Sequence, residues 1–297
     1  MKLLSVGLND TTDDVRTRLQ NDCISLNKEG FRIALDEIIK GDYRFIGCNV
    51  IEGELSFRNY ERIKNLLKNQ VANILAELIV MHEEKKIIKR IIEQNYYYFS
   101  QLERDEIYCN AIKLLKCTDI IDPAFSYNAR RDNVASKILE YLDNHHELVV
   151  EGFINFRLKD YREKLVDLVD KAVDDFMMEM EYKEFIGVLR YFVDVQETRT
   201  EEVHVVIDNS GTYKVLDNQG KAISSQYLEN CTISSFSDIN YEDLLITALI
   251  TIAPYSIILH NDNFNGISNV VETINNVFEG RVITCNGCEF CLKSVES

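Results

Sequence analysis

Proline is nearly absent: only Pro123 and Pro254 occur in 297 residues. No proline- or glycine-rich stretch divides the chain, which argues against domains joined by a flexible tether. Long apolar runs are missing too. The longest uncharged stretch, 244–259, is shorter than the roughly 20 residues a spanning helix needs, and Pro254 interrupts it. It reads as a buried helix followed by a buried strand. The apolar opening around Leu3, Leu4 and Val6 meets Asp10, Asp13 and Asp14 at once, so it is no secretory signal. Membrane insertion is not expected, and the expected location is the cytoplasm.

Basic charge is scarce. Lys and Arg total 33 against 49 Asp and Glu, a net charge of −16. Such a chain is repelled on average by nucleic acid and anionic membranes, so nucleic acid is not an expected partner. Residues 58–90 hold eight basic against four acidic residues. So mild an excess reads as a solvated helix face.

The usual enzymatic signatures are also missing. There is no Gly-x-x-x-x-Gly-Lys phosphate loop, no Gly-x-Gly-x-x-Gly and no Gly-x-Ser-x-Gly. His82-Glu83 lacks a zincin's second histidine, and His145-His146-Glu147 reads as a polar helix end.

What is present is ordinary globular composition, 46% hydrophobic and 28% charged. Near ~150 residues per domain, the length fits about two domains. With no export signal, the eight cysteines are expected as reduced thiols or metal ligands.

Hydrophobic period sets the organisation. Residues 2–8 read as a strand, and Val15, Leu19, Cys23 and Leu26 share one helix face. Alternation around Phe31, Ile33 and Leu35 reads as a strand. Lys40-Gly41-Asp42 turns the chain into a second, 43–50. Ser56 can cap a long helix running to Ile92, and Ser100 the next, which Asp122-Pro123 ends. Tyr96 to Phe99 are expected to pack into a core.

Two antiparallel helices are expected between 157 and 196, with Phe176, Phe185, Val188, Leu189 and Phe192 buried. Asp160, Glu163, Asp167, Asp170 and Asp174 form a carboxylate row, read as a solvated face rather than a metal site. Arg157 and Arg190 sit among apolar neighbours and are candidates for buried or interfacial charges. Glu151, Glu184 and Asp194 are the available partners.

Beyond Val203, the period becomes two. A hairpin turns at 209–211, and a strand (255–260), helix (267–278) and strand (281–284) form a right-handed β-α-β unit. The expected fold class is α+β. A helix-rich middle, an antiparallel bundle over 83–198, is flanked by an N-terminal β-α-β-β-α unit, 1–82. A C-terminal mixed α/β unit with a hairpin and a β-α-β follows over 199–297.

Three segments carry a resemblance: EGFINFRLKDY at 151–161, AVDDFMMEMEYKEFIGVLRYFVDVQE at 172–197 and EEVHVVI at 201–207. In these the chain resembles the YtxC-like family of sporulation proteins of endospore-forming bacteria. The resemblance extends weakly back to about Arg90 and forward through 278–282. It implies a sporulation setting and a cytoplasmic protein, and carries over no catalytic residue.

The strongest chemical motif stands near the C-terminus. Cys285, Cys288 and Cys291 follow C-x2-C-x2-C spacing around Asn286-Gly287, which permits the tight backbone that convergent thiolates need. No further cysteine follows. If the strands ending at His260 and Thr284 are parallel neighbours, His260 lies beside Cys285 and completes a Cys3His set suited to zinc. An iron–sulfur cluster with Cys231 as fourth ligand is the competing arrangement. Cys23, Cys48, Cys109, Cys117 and Cys231 are expected as buried apolar side chains. The favoured function is a non-enzymatic or regulatory sporulation-associated protein working through a protein partner. The alternative is a redox or hydrolytic protein that uses the cysteine cluster.

Overall fold

A computed structural model describes residues 2–9, 12–27, 32–52, 57–207, 213–223, 241–260, 268–288 and 291. Ser56, the turn at 209–211 and Cys231 lie outside the described residues. The chain divides into two compact units, Met1–Met177 and Met178–Ser297.

The first unit opens as β1 (Lys2–Leu8), α1 (Thr12–Asn27), β2 (Arg32–Lys40), β3 (Tyr43–Glu52) and α2 (Phe57–Leu78), the β-α-β-β-α order expected. β2 and β3 form a hairpin in which Lys40 faces Tyr43. Gly41, at φ +60°, takes the position where a two-residue loop favours glycine. β1 is central and buried along its length, from Leu3 through Leu8. Its second neighbour is β4 (Glu147–Val149), parallel to it, in a sheet ordered β2-β3-β1-β4. The polar helix end expected at His145-His146-Glu147 is there, with His145 capping the helix that precedes it, but no strand is expected after it. A three-residue strand is too short to reveal its period, and its pairing with β1 is long-range.

The helix after Ser56 runs to α3 (Glu84–Asn95) through a π turn at Ile79–Glu83. One extra residue in a helix rotates everything after it by about 100°. That rotation brings Glu84 into the interior beside Ile87, Ile88 and Ile91. α4 (Gln101–Ile121) starts on a capping box: the Glu103 backbone N–H donates to Ser100 Oγ, and the Ser100 backbone N–H to Glu103 Oε2 at 2.6 Å. Asp122-Pro123 ends it as expected. α5 (Tyr127–Asn144) and α6 (Val150–Arg157) follow.

Two expectations for this unit need correction. Tyr96 and Phe99 do pack, by a Tyr96–Asp170 hydrogen bond of 2.6 Å and an edge-on contact with Phe176, but Tyr97 and Tyr98 are exposed. Cys23 and Cys48 are buried, whereas Cys109 and Cys117 are exposed.

The antiparallel helix pair expected over 157–196 is instead one helix, α7 (Lys159–Val195). No proline or cap interrupts the segment, so nothing reverses the chain. Phe176 is buried, Leu189 partly buried, but Phe185, Val188 and Phe192 are exposed. In the second unit Ile186 and Val193 carry this helix's buried face. Ile186→Ala should therefore cost about 2–3 kcal/mol, and Phe185→Ala within about 0.5 kcal/mol, measured by urea unfolding at a dilution where the chain is monomeric. Equal costs for the neighbouring pair would contradict this assignment of faces.

The second unit adds β5 (Thr200–Ile207), β6 (Tyr213–Leu216), α8 (Tyr241–Ile252), β7 (Pro254–His260), α9 (Ser268–Val277) and β8 (Val282–Thr284). The sheet order is β6-β5-β7-β8, with β6 antiparallel and the rest parallel. Val203, Val205, Ile257 and Leu259 join Leu249, Ile274 and Phe278 in one buried cluster. Successive strand residues alternate faces, so Glu202, His204, Ile258 and His260 belong to the opposite face.

Candidate metal centre

β7 and β8 are hydrogen-bonded neighbours with Leu259 opposite Thr284. The ladder continues one step further, where the Cys285 backbone N–H donates to the Leu259 carbonyl at 2.9 Å. His260 ends one strand as Cys285 leaves the other, so chain direction alone juxtaposes them. No strand intervenes. The chain then turns at Gly287, whose φ of +114° strains any other residue. The Cys291 backbone N–H closes the turn on the Cys288 carbonyl at 3.0 Å.

The result is a convergent set. One ligand atom from each of His260, Cys285, Cys288 and Cys291 lies within 4.8 Å of every other. His260 Nδ1 stands 3.3 Å from Cys288 Sγ and 3.5 Å from Cys291 Sγ. Cys291 Sγ stands 3.9 Å from Cys288 Sγ and 3.8 Å from Cys285 Sγ. Four donors around one zinc ion, at the usual metal–ligand lengths, give tetrahedron edges of about 3.8 Å between sulfurs and about 3.6 Å between sulfur and nitrogen. Four of the six spacings lie within about 0.3 Å of those edges, and the two that join Cys285 to His260 and to Cys288 are within 4.8 Å. Among the described residues, the carboxylate row on α7 forms no comparable group.

Burial shapes the chemistry. It pushes the Cys291 thiol up to about 11, against the backbone hydrogen bond with Cys288 and together with the side-chain hydrogen bonds of Cys285 and Cys288. Burial first, and the neighbouring His204 next, hold the His260 imidazole below its ordinary value. A neutral imidazole keeps the lone pair a metal takes. Protonated thiols must release protons to a metal as it binds.

Two residues that sequence reasoning missed stand behind His260. Its Nε2 lies 2.9 Å from His204 Nδ1, and His204 Nε2 lies 3.2 Å from Glu202 Oε1. With the Nδ1 lone pair of His260 turned toward the sulfurs, its Nε2–H donates to His204, and His204 Nε2–H donates to Glu202. One tautomer satisfies the whole chain, an outer-sphere arrangement familiar from metal-bound histidines. The available signal was Glu202 and His204 at i, i+2 on a strand whose other face is Val203, Val205 and Ile207.

The buried charge also lies elsewhere than expected. Arg157 is exposed and lies over the Tyr141 ring at 5.5 Å. Arg190 is partly buried and pairs with Glu279 at 2.6 Å, not with Glu184 or Asp194. Asp194 lies 3.4 Å from Arg281. The buried arginine of the first unit is Arg130, whose Nε donates to Glu84 at 2.8 Å. Its Nη1 donates to Thr118 Oγ1 and to the Phe125 carbonyl, and Tyr161 donates to Glu84. Burial pushes the Glu84 carboxyl up, against the pull of Arg130. His145 and His146, expected at a polar helix end, are exposed, and His145 stacks on Tyr141 at 4.1 Å.

No helix among the described residues is long and apolar enough to cross a membrane. No solved structure matches the chain. A Bacillus subtilis (strain 168) protein named Uncharacterized protein YtxC is 26% identical over 211 residues, which span 70% of this chain and 74% of that protein. The model of the YtxC-like family matches residues 69–283. That span takes in Glu202, His204 and His260 and stops short of Cys285. It leaves out β1, α1, β2 and β3 and takes in the helices of the first unit from α3 onward and the second unit as far as Ile283, and the chain belongs to the YtxC-like family.

Proposed function

We propose that this chain is a zinc-stabilised, sporulation-associated cytoplasmic protein that works through protein contacts rather than by turning over a substrate. Zinc held by His260, Cys285, Cys288 and Cys291 would fix the carboxyl edge of the second sheet. The observation that carries the reading is the convergence of four donors within 4.8 Å, with four of their six spacings close to the edges of a single tetrahedron. Four protein donors fill a tetrahedral ion, whereas a hydrolytic zinc keeps one position for water. The donor set therefore favours a structural role. Thiolates of an iron–sulfur cluster bind different irons and stand further apart than thiolates sharing one ion, so the close sulfurs favour one ion over a cluster. The sporulation setting is what the resemblance over 151–161 and 172–197 supports.

Elemental analysis of the full chain, purified without oxygen, tests the reading. One zinc per chain is expected, and Cys288→Ser should lose it. Iron with acid-labile sulfide would support the cluster instead, and protein with neither metal would end the proposal. The outer sphere has its own expected outcome. His204→Phe removes the acceptor that orients His260, and should weaken zinc binding 10–100-fold in a competition titration against a chromophoric chelator. An affinity equal to wild type would show that His204 does not position the ligand.

A further inference from the structure

The second half of α7 does not behave as a surface helix. One side carries Ile186 and Val193 into the buried cluster of the second unit. Beside it run Met178, Phe185, Val188, Tyr191, Phe192 and Val195, and each leaves more than half of its surface exposed. An ordinary surface helix places polar residues there. Positions 178, 185, 188, 192 and 195 follow the alternating spacing of a 3.5-residue repeat, the seam of two packed helices. The apolar character that made these residues look like core in the sequence is real. Among the described residues, none of the same chain covers it.

We infer that this stripe is the interface of a homodimer, in which two copies of α7 pack against each other about a two-fold axis. The area fits such a pair. At ~200 Å² for a large side chain, the six residues expose about 700 Å², close to the ~800 Å² each partner contributes to a standard interface. A patch that size exceeds what monomers usually leave to water. A stripe along one helix is self-complementary under a two-fold, so a second copy needs no new surface.

Charge sets the direction. Glu181 and Glu184 lie at the N-terminal end of the stripe, and exposed Arg199 lies beyond its other end. Parallel helices would set each carboxylate against its own copy. Antiparallel helices crossing near Arg190 bring Phe185 against Val195, Val188 against Phe192, and Glu181 toward Arg199 of the second copy. Large side chains then meet smaller ones, and at each end Arg199, which follows the exposed Glu197, offers Glu181 an opposite charge. Asp194 is turned aside, near Arg281 at 3.4 Å.

Sedimentation equilibrium on the full chain at micromolar concentration tests the inference. The expected mass is twice the 34.4 kDa of one chain. The double variant Phe185→Glu, Phe192→Glu should sediment as a monomer with unchanged circular dichroism, because both residues are exposed within their own chain. Arg199→Glu should weaken the dimer, and adding Glu181→Arg should restore it. A monomeric wild type overturns the homodimer and leaves the stripe to a different partner. A double variant that stays dimeric places the interface elsewhere. Failure of the charge reversal to restore association overturns the antiparallel order.

Discussion

Stripping the metal is expected to release the C-terminal edge of the second sheet and lower the stability of that unit by about 4 kcal/mol or more, when zinc would otherwise stand a thousandfold above its dissociation constant. The reason lies in how little else holds the edge. β8 is three residues long, and Ile283 and Thr284 are exposed. Its described ties to the rest of the unit are three paired positions with β7, the Ile257–Arg281 and Cys285–Leu259 backbone hydrogen bonds at its two ends, and the packing of Val282 on the buried cluster. Of the residues after Thr284, Cys291 is a described one that is buried. An edge this thin opens easily, and metal coordination is then folding free energy. Amide exchange should report it: Ile257, Leu259, Ile283 and Cys285, whose N–H groups lie in the β7–β8 ladder, lose protection in chelator, while β1 and β3 of the first unit keep theirs. Protection that is identical with and without metal would mean that the cysteines do not anchor the sheet.

Removal of Arg130 should cost about as much. Arg130→Ala leaves the buried Glu84 carboxylate with Tyr161 as its remaining described partner, and loss of one member of such a pair costs about 3–5 kcal/mol. Thr118 and the Phe125 carbonyl lose a donor in the same change. Replacing both charges, Arg130→Met with Glu84→Gln, should recover much of the loss because no uncompensated charge remains. Urea unfolding of the three proteins measures this. A single variant within about 1 kcal/mol of wild type would show that the pair contributes little, and a double variant worse than the single would contradict the account of its cost.

Much of this was legible in the sequence because local rules governed it. Ser100, three residues before Glu103, marked a helix start, and Asp122-Pro123 marked its end. The candidate ligands were found by chain direction. Two strands joined by one helix are parallel neighbours, so the residue ending the first stands beside the residue following the second. That step placed His260 by Cys285 without any knowledge of the rest of the sheet.

What escaped depended on pairing between distant segments. β4 joins β1 across more than a hundred residues, and β5 lies beside β7, which brings His204 to His260. No local period records either contact. Glu84 and Arg130 were missed for a different reason. Arg130 stands in phase with Val134, Ile138 and Leu142, at the head of an apolar face, and such a charge normally snorkels outward. Glu84 faces inward through the π turn, which a 3.6-residue period cannot anticipate. The error on α7 runs the other way. Phe185, Val188 and Phe192 have the spacing of a buried seam, and sequence alone does not say whether the partner belongs to the same chain.

X-ray absorption at the metal edge of anaerobically purified protein tests the central claim most directly. The account predicts a zinc edge with three sulfur neighbours at about 2.3 Å and one nitrogen at about 2.0–2.1 Å. An iron edge with metal–metal scattering, or a zinc shell made of oxygen and nitrogen without sulfur, would contradict it.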